Sequence, residues 1–219
     1  HEGKEKMLPL FYFALIIGGS QALPSADQFM DNVLHSALKN VIKNERLDPT
    51  FLPDYTFDYY DKTFFGKVHG KAEYSQGSLK GLSQVVRLGS CQGPANITGV
   101  TSINCTLALN FLDTYYKGKV KYGVLPKVSI DAKGNTSVIV SVDVTKGYND
   151  RQAKVKSLQI RSARRPSTQF SGLGPLNKHM KVLEENYKDK VAEEVSRIIL
   201  SRFQYAVNLA VGQVPMPLR

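Results

Sequence analysis

Acidic residues are scarce in this 219-residue chain, with 19 Asp and Glu against 29 Lys and Arg and a formal net charge of +10. Cysteine and histidine are rarer still, at 2 and 4 residues. Two cysteines cannot supply a four-thiolate zinc site, and His35, His69 and His179 are scattered, with no paired ligand spacing such as two on one helix face. A phosphate-cradling glycine loop and a dinucleotide fingerprint are both missing. So is any apolar run of the roughly 20 residues a membrane helix needs. Together these absences weigh against a metalloenzyme, a nucleotide-dependent enzyme and a helical membrane protein.

The short apolar run from Leu8 to Ile17 follows Met7, and Ser20-Gln21-Ala22 places small residues where a signal peptidase reads them. A run of about ten residues suits a secretory signal and is too short to span a bilayer. Residues 1–22 are therefore expected to be a leader and signal peptide, with His1 to Lys6 an upstream addition. Residues 23–219 are expected to be one soluble, secreted, extracellular domain.

What is present is dominated by one stretch. Leu176, Met180, Leu183, Tyr187, Val191, Val195, Ile199, Phe203, Ala206 and Ala210 are spaced by threes and fours, the signature of one helix face. Lys181, Glu184, Glu185, Lys188, Glu193, Glu194 and Arg197 fall on the side turned to water, with Glu184–Lys188 and Glu193–Arg197 in the favourable order. Pro175 suits the first turn, and Gly212, Pro215 and Pro217 end the pattern. A continuous helix over 176–211 would be about 54 Å long at about 1.5 Å per residue. Its apolar stripe needs a cover.

A second amphipathic helix carries Phe29, Met30, Val33, Leu34, Ala37, Leu38, Val41 and Ile42. Ser25 with Gln28 is a capping box, and Asp27 and Asp31 near the start with Lys39 and Lys43 near the end suit the helix dipole. From Leu47 to Phe65 periodicity is lost. Asp48-Pro49 and Pro53-Asp54 break the chain, and a crowd of tyrosines and phenylalanines suggests an ordered connector pressed onto the domain. Asp54, Asp58 and Asp61 lack the spacing, glycine and terminal glutamate of a calcium loop.

Between Phe65 and Ile160 the period becomes two. Val138, Val140, Val142 and Val144 alternate with Ile139, Ser141, Asp143 and Thr145. Tyr116, Gly118, Val120 and Tyr122 alternate with Lys117, Lys119 and Lys121. This predicts six or seven antiparallel strands with one wet face. Turns are expected at Tyr74–Gly77, Leu112–Thr114, Ala132–Asn135 and Tyr148–Asp150. The fold class is α+β: a curved antiparallel meander wrapped around a long helix, with an amphipathic helix before it.

Gly89-Ser90-Cys91-Gln92-Gly93 has the glycine spacing of a nucleophile elbow, but Pro94 stands where that motif needs a helix. A disulfide between Cys91 and Cys105 explains the pair more simply in a secreted chain, and would contribute about 3 kcal/mol for a loop of about 15 residues. No catalytic residue, metal or cofactor is assigned. Asn96, Asn104 and Asn135 open glycosylation tripeptides and are expected on surface loops. Lys117, Lys119 and Lys121 share one strand face, Lys154 and Lys156 another, and Arg161, Arg164 and Arg165 follow. If adjacent, these residues form a cationic stripe for an anionic membrane or bacterial glycolipid. Nucleic acid is not expected, because no recognition motif is present. The apolar alternative is an interior lined by Val33, Leu34, Leu38, Val191, Val195, Ile199 and Phe203.

In the order of its parts the chain resembles the tubular lipid-binding superfamily of bactericidal/permeability-increasing and takeout-like proteins. Within it the likeness is to the mite group 7 allergens and related arthropod secreted proteins. It rests on the Asp48-Pro49 to Pro53-Asp54 connector and on the Leu79–Gly89 segment, with its Gly-Leu and basic ending. The resemblance spans nearly all of residues 23–219. It implies a non-enzymatic protein that holds a lipid, fatty acid or terpenoid-like molecule between sheet and long helix. The cysteine pair and the stronger basicity depart from the mite pattern, and the latter favours an anionic lipid.

Overall fold

The alternating segments become strands, and two of them run much farther than the turn signals suggest. The computed structural model describes residues 25–63, 66–174, 177 and 180–217; the expected leader, the helix start at Pro175 and Leu176, and His179 lie outside them. Among the described residues one nine-stranded sheet is formed by β1 (Thr50–Leu52), β2 (Tyr55–Thr63), β3 (Gly66–Lys80), β4 (Val86–Arg87), β5 (Gln92–Ile97), β6 (Val100–Tyr122), β7 (Val128–Gly147), β8 (Lys154–Ala163) and β9 (Ser167–Ser171). Every pairing is antiparallel. The sheet is curved, and its concave side holds the helices.

β6 and β7 form a continuous ribbon, paired from Val100↔Gly147 to Val120↔Val128. One half of the ribbon is widened by β3 on β6 and β9 on β7. The other half is widened by β4 and β5 on β6 and by β8 on β7. β1 and β2 extend the sheet from β3.

Three expected turns are not turns. The signal at Tyr74–Gly77 is a bulge within β3, where the register shifts between Ser75 and Ser78 and Gln76 takes φ 55°. That at Leu112–Thr114 lies beside a register shift between Leu109 and Leu112 of β6. Ala132–Asn135 lies inside β7 and pairs with β9. Glycine, serine, asparagine and aspartate favour bulges for the same backbone reasons that they favour turns. The turn after Gly147 is present, and the chain reverses between β6 and β7 at residues 123–127.

The aromatic connector is also more regular than its sequence: it supplies β1 and β2, both edge additions to β3. Its first breaker has a structural task. The Asp48 carboxylate accepts hydrogen bonds from Gly81 N and Ser83 N at 2.9 Å each, and from the Ser83 hydroxyl. The two sequence motifs that carry the family likeness are thereby tied to each other. Gly81 has φ 102°, and a Cβ there would stand 1.8 Å from the Phe111 carbonyl oxygen, so no other residue fits.

The first helix runs through Ala26–Asn32, a π-helical turn Val33–Leu38, and Lys39–Asn44. Its capping box is formed: Gln28 N donates to Ser25 Oγ at 3.1 Å, and Ser25 N to Gln28 Oε1 at 3.0 Å. The long helix runs through Met180–Ile198, a second π-helical turn Ile199–Phe203, and Gln204–Gln213, so the uninterrupted α-helix expected from spacing carries one widened turn. Leu183, Tyr187, Val191, Val195, Ile199, Phe203, Ala206 and Ala210 are all buried beneath the sheet. The π turn of the first helix packs on the Gln204–Gln213 end of the long one.

One charge expected in water is inside. Glu194 is buried and bonded by Arg197 Nε at 2.8 Å and Lys190 Nζ at 3.2 Å. Burial alone would raise its carboxyl pKa, but the two cations hold it below the ordinary range. Arg197 therefore pairs with Glu194 rather than Glu193, which takes Lys190, whereas the Glu184–Lys188 pair forms at 2.6 Å.

Candidate functional site

The interior between sheet and long helix has two ends of different chemistry. At the β4/β5/β8 end the first helix closes the sheet, and Val33, Leu34 and Leu38 belong to its π turn. Ile199 and Phe203 belong to the π turn of the long helix, with Val195 and Val191 about one and two turns before it. All seven lie in one buried apolar cluster together with Val138, Val140, Val142 and Val144 of β7. Five clefts on the described surface are lined by other residues.

At the β3/β9 end the interior is aromatic. Tyr55 stacks on Tyr74 with ring centroids 4.8 Å apart, and Tyr116 meets Tyr55 edge-on at 5.4 Å. Tyr187 of the long helix touches Tyr74, Tyr116 and Phe170 at 5.7, 6.1 and 5.4 Å. Gly77 makes room for this cluster, since a Cβ there would lie 2.3 Å from the Tyr116 ring. Two of the four hydroxyls are satisfied. Tyr116 donates to the Pro53 carbonyl at 3.0 Å; Tyr187 meets Thr114 Oγ1 at 3.2 Å and the Ala132 carbonyl at 3.3 Å. The hydroxyls of Tyr55 and Tyr74 are buried with no hydrogen-bond partner.

Burial pushes the Tyr187 phenol up to about 12 and those of Tyr55, Tyr74 and Tyr116 higher still. All four stay protonated near neutral pH, so Tyr55 and Tyr74 hold donors suited to a neutral carbonyl or ether oxygen. Sequence reading gave weight to the aliphatic lining and missed these donors. The available signal was Tyr74 and Tyr116 at inward positions of alternating strands, where phenylalanine would avoid a polar atom.

The basic residues do not form one stripe. Lys117, Lys119 and Lys121 are exposed on β6, opposite Ser75, Glu73 and Lys71 of β3. Glu73 is held by Lys127 at 2.5 Å, and Asp131 sits across from Lys117. Lys154 and Lys156 lie on the other half of the sheet. Lys119 pairs with Ser129 of β7 and Lys154 with Thr145, about 50 Å farther along the strand at about 3.3 Å per residue. Lys154 is bonded to Asp150 at 3.3 Å and Arg161 donates to Ser141 Oγ at 2.8 Å. Arg165 is bound to Glu185 and Asp189 of the long helix. Strand spacing alone cannot reveal this, because register and bulges decide which faces become neighbours.

Cys91 and Cys105 form a disulfide, which removes the only thiols from nucleophilic chemistry. Asn96, Asn104 and Asn135 lie on strands β5, β6 and β7 and not on loops. Asn96 and Asn135 are exposed; Asn104 is partly buried and donates to Asp143. His35 is exposed near the Asp31 carbonyl, and His69 meets Asp58 at 2.9 Å. Among the described residues no cluster of three or more potential metal ligands occurs, and no helix is long and apolar enough to cross a membrane.

Comparison with known proteins adds three findings. The sequence profile described as group 7 allergen matches residues 25–209. The crystal structure of Epiphyas postvittana Takeout 1 is similar at 18% identity and a TM-score of 0.43, covering 85% of this chain and 92% of that one. No curated protein sequence matches significantly.

Proposed function

The chain belongs to the group 7 allergen family, and from that membership we propose that it is a secreted, non-enzymatic carrier of a small apolar molecule held between sheet and long helix. The observation that carries this reading is the asymmetry of the interior. Along the long helix from Val191 to Phe203 the buried surface is aliphatic and aromatic apart from Glu194, which Arg197 and Lys190 neutralise, and at the Tyr187 end it meets two phenolic donors without partners. From Tyr187 to Phe203 the helix rises about 24 Å at about 1.5 Å per residue. An elongated molecule with an apolar body and one neutral oxygen acceptor matches that interior: its body would lie along Val191, Val195, Ile199 and Phe203, with Val33, Leu34 and Leu38 at the far end. A carboxylate fits less well, since no cation accompanies the two hydroxyls and burying an unpaired charge costs far more than burying an ester or ketone.

The test begins with native mass spectrometry and solvent extraction of protein secreted from its own expression host. A stoichiometric apolar molecule is expected. Val195→Trp should then displace it while the circular dichroism spectrum and melting temperature stay near those of the parent. A bare chain in the first measurement, or a Val195→Trp protein that loses its fold, would mean that the interior is filled by side chains alone.

A further inference from the structure

Phe51 is, after Val124 and Tyr148, the most exposed large apolar residue among those described, and unlike them it lies on a strand. It is the middle residue of β1, whose neighbours Thr50 and Leu52 turn inward, and it is 82% exposed. Two clefts of about 510 and 530 Å³ open on either side of it. The first reaches across to Arg202 and Tyr205 of the long helix, and Tyr205 is 54% exposed. The second is walled by Lys39 and Lys43 of the first helix, and Arg46 borders both.

Among the described residues the cations around this aromatic pair are unpaired with any carboxylate, as are Lys117 and Lys121 on the sheet, but here they stand beside exposed rings. Arg87, Arg165, Arg197, Lys127 and Lys188 each hold a carboxylate. Lys39, Lys43 and Arg46 have no ion-pair partner among the described residues, and Arg202 meets only the Thr50 hydroxyl, at 2.8 Å. Of the two acids in the clefts, Asp48 is turned to its three donors at Gly81 and Ser83, which leaves Glu45. Exposed phenylalanine and tyrosine flanked by unpaired lysine and arginine is the composition that lies in a bilayer interface: rings enter the headgroup boundary and cations meet phosphate.

We propose that the surface around Phe51 and Tyr205, ringed by Lys39, Lys43, Arg46 and Arg202, docks this protein on anionic lipid bilayers. The floor of the clefts includes Ile42 and Leu47, which belong to the buried core, and one wall is the π turn of the long helix. Docking therefore sets the membrane against the seam where the two helices meet. The surface stands whether or not an internal ligand is carried.

The chain contains no tryptophan, so Phe51→Trp places a single indole at the centre of the surface. Its emission is expected to shift to the blue with vesicles of phosphatidylcholine and phosphatidylserine, to stay put with phosphatidylcholine alone, and to return as salt is raised. In sedimentation with the same vesicles, Lys39→Glu/Lys43→Glu/Arg46→Glu should lose more than a hundredfold in partitioning, at about fivefold per cation neutralised. Lys117→Glu/Lys119→Glu/Lys121→Glu should bind like the parent. Circular dichroism and uptake of an apolar fluorescent probe, followed in all variants, separate loss of docking from loss of fold or of internal binding. Unshifted Phe51→Trp emission, or loss of binding in the sheet variant and not the cleft variant, would overturn the proposal. So would emission that responds to an acidic protein or to protein concentration but not to vesicles.

Discussion

The two halves of the β6–β7 ribbon share one sheet and one long helix but solve the problem of a buried interior differently. The β3/β9 half packs tyrosines edge to face and must then place their hydroxyls, using Pro53, Thr114 and Ala132 for two of them. The β5/β8 half buries valine, leucine and phenylalanine, which need no polar partner, and adds a second helix as a cover. That cover is latched from outside. Arg87 of β4 holds both Asp31 carboxylate oxygens, at 2.9 and 2.8 Å, and reaches Asp27 at 3.3 Å. Asp27 in turn accepts from Cys91 N at 2.6 Å, beside the disulfide. An aliphatic interior gains its order from shape and needs charged pegs at its rim; an aromatic one carries its directional bonds within.

The contrast can be broken most severely in the aliphatic half. Phe203→Ala removes a fully buried ring from the helix seam and should cost about 3–5 kcal/mol in denaturant unfolding. A loss below about 1 kcal/mol would show that the seam collapses around the gap, unlike a close-packed core. The latch comes next. Arg87→Ala should cost about 1 kcal/mol, discounted because Asp31 is partly exposed. The Arg87 bond holds the Asp31 carboxyl below its ordinary 3.8. The latch is therefore in full force above that value and is lost as pH falls through the lower folded one, so the two proteins should converge in stability on strong acidification. A difference that persists there would assign the effect to packing of the arginine stem.

The finest test lies within the aromatic half and predicts opposite signs for one chemical change. Tyr187→Phe deletes a bonded hydroxyl and should cost about 1 kcal/mol. Tyr74→Phe deletes a buried, unpartnered one and should leave the ligand-free protein as stable or raise its melting temperature. Equal losses from both would mean that the Tyr74 hydroxyl has a partner after all.

Much of this division was legible in the sequence. The spacing of Leu183 through Ala210 placed one face of the long helix inside, and the alternation of Val138 to Val144 did the same for β7. The capping box at Ser25 and the cysteine pair also read directly, because each depends on near neighbours or on a count. The bulges in β3 and β6 read as turns, since Gln76-Gly77 and Asp113-Thr114 carry local preferences that do not say whether a strand resumes beyond. Asp48, Arg87 and Glu194 were legible only as a breaker, a basic ending and a solvated charge. Their partners lie on other elements, and no local pattern announces a bond across the fold. The surface around Phe51 escaped for the same reason: its residues come from three separate stretches and share only a place.

The seam between the helices has a consequence for how the chain is made. The apolar face of the first helix emerges early, yet the segment that covers it, Gln204–Gln213, is synthesised after the entire sheet. At about 5–20 residues per second that face spends on the order of ten seconds or more without its partner. Chain fragments that stop before Phe203 would present Val33, Leu34 and Leu38 without that partner, which makes this helix the segment a chaperone would hold during biosynthesis.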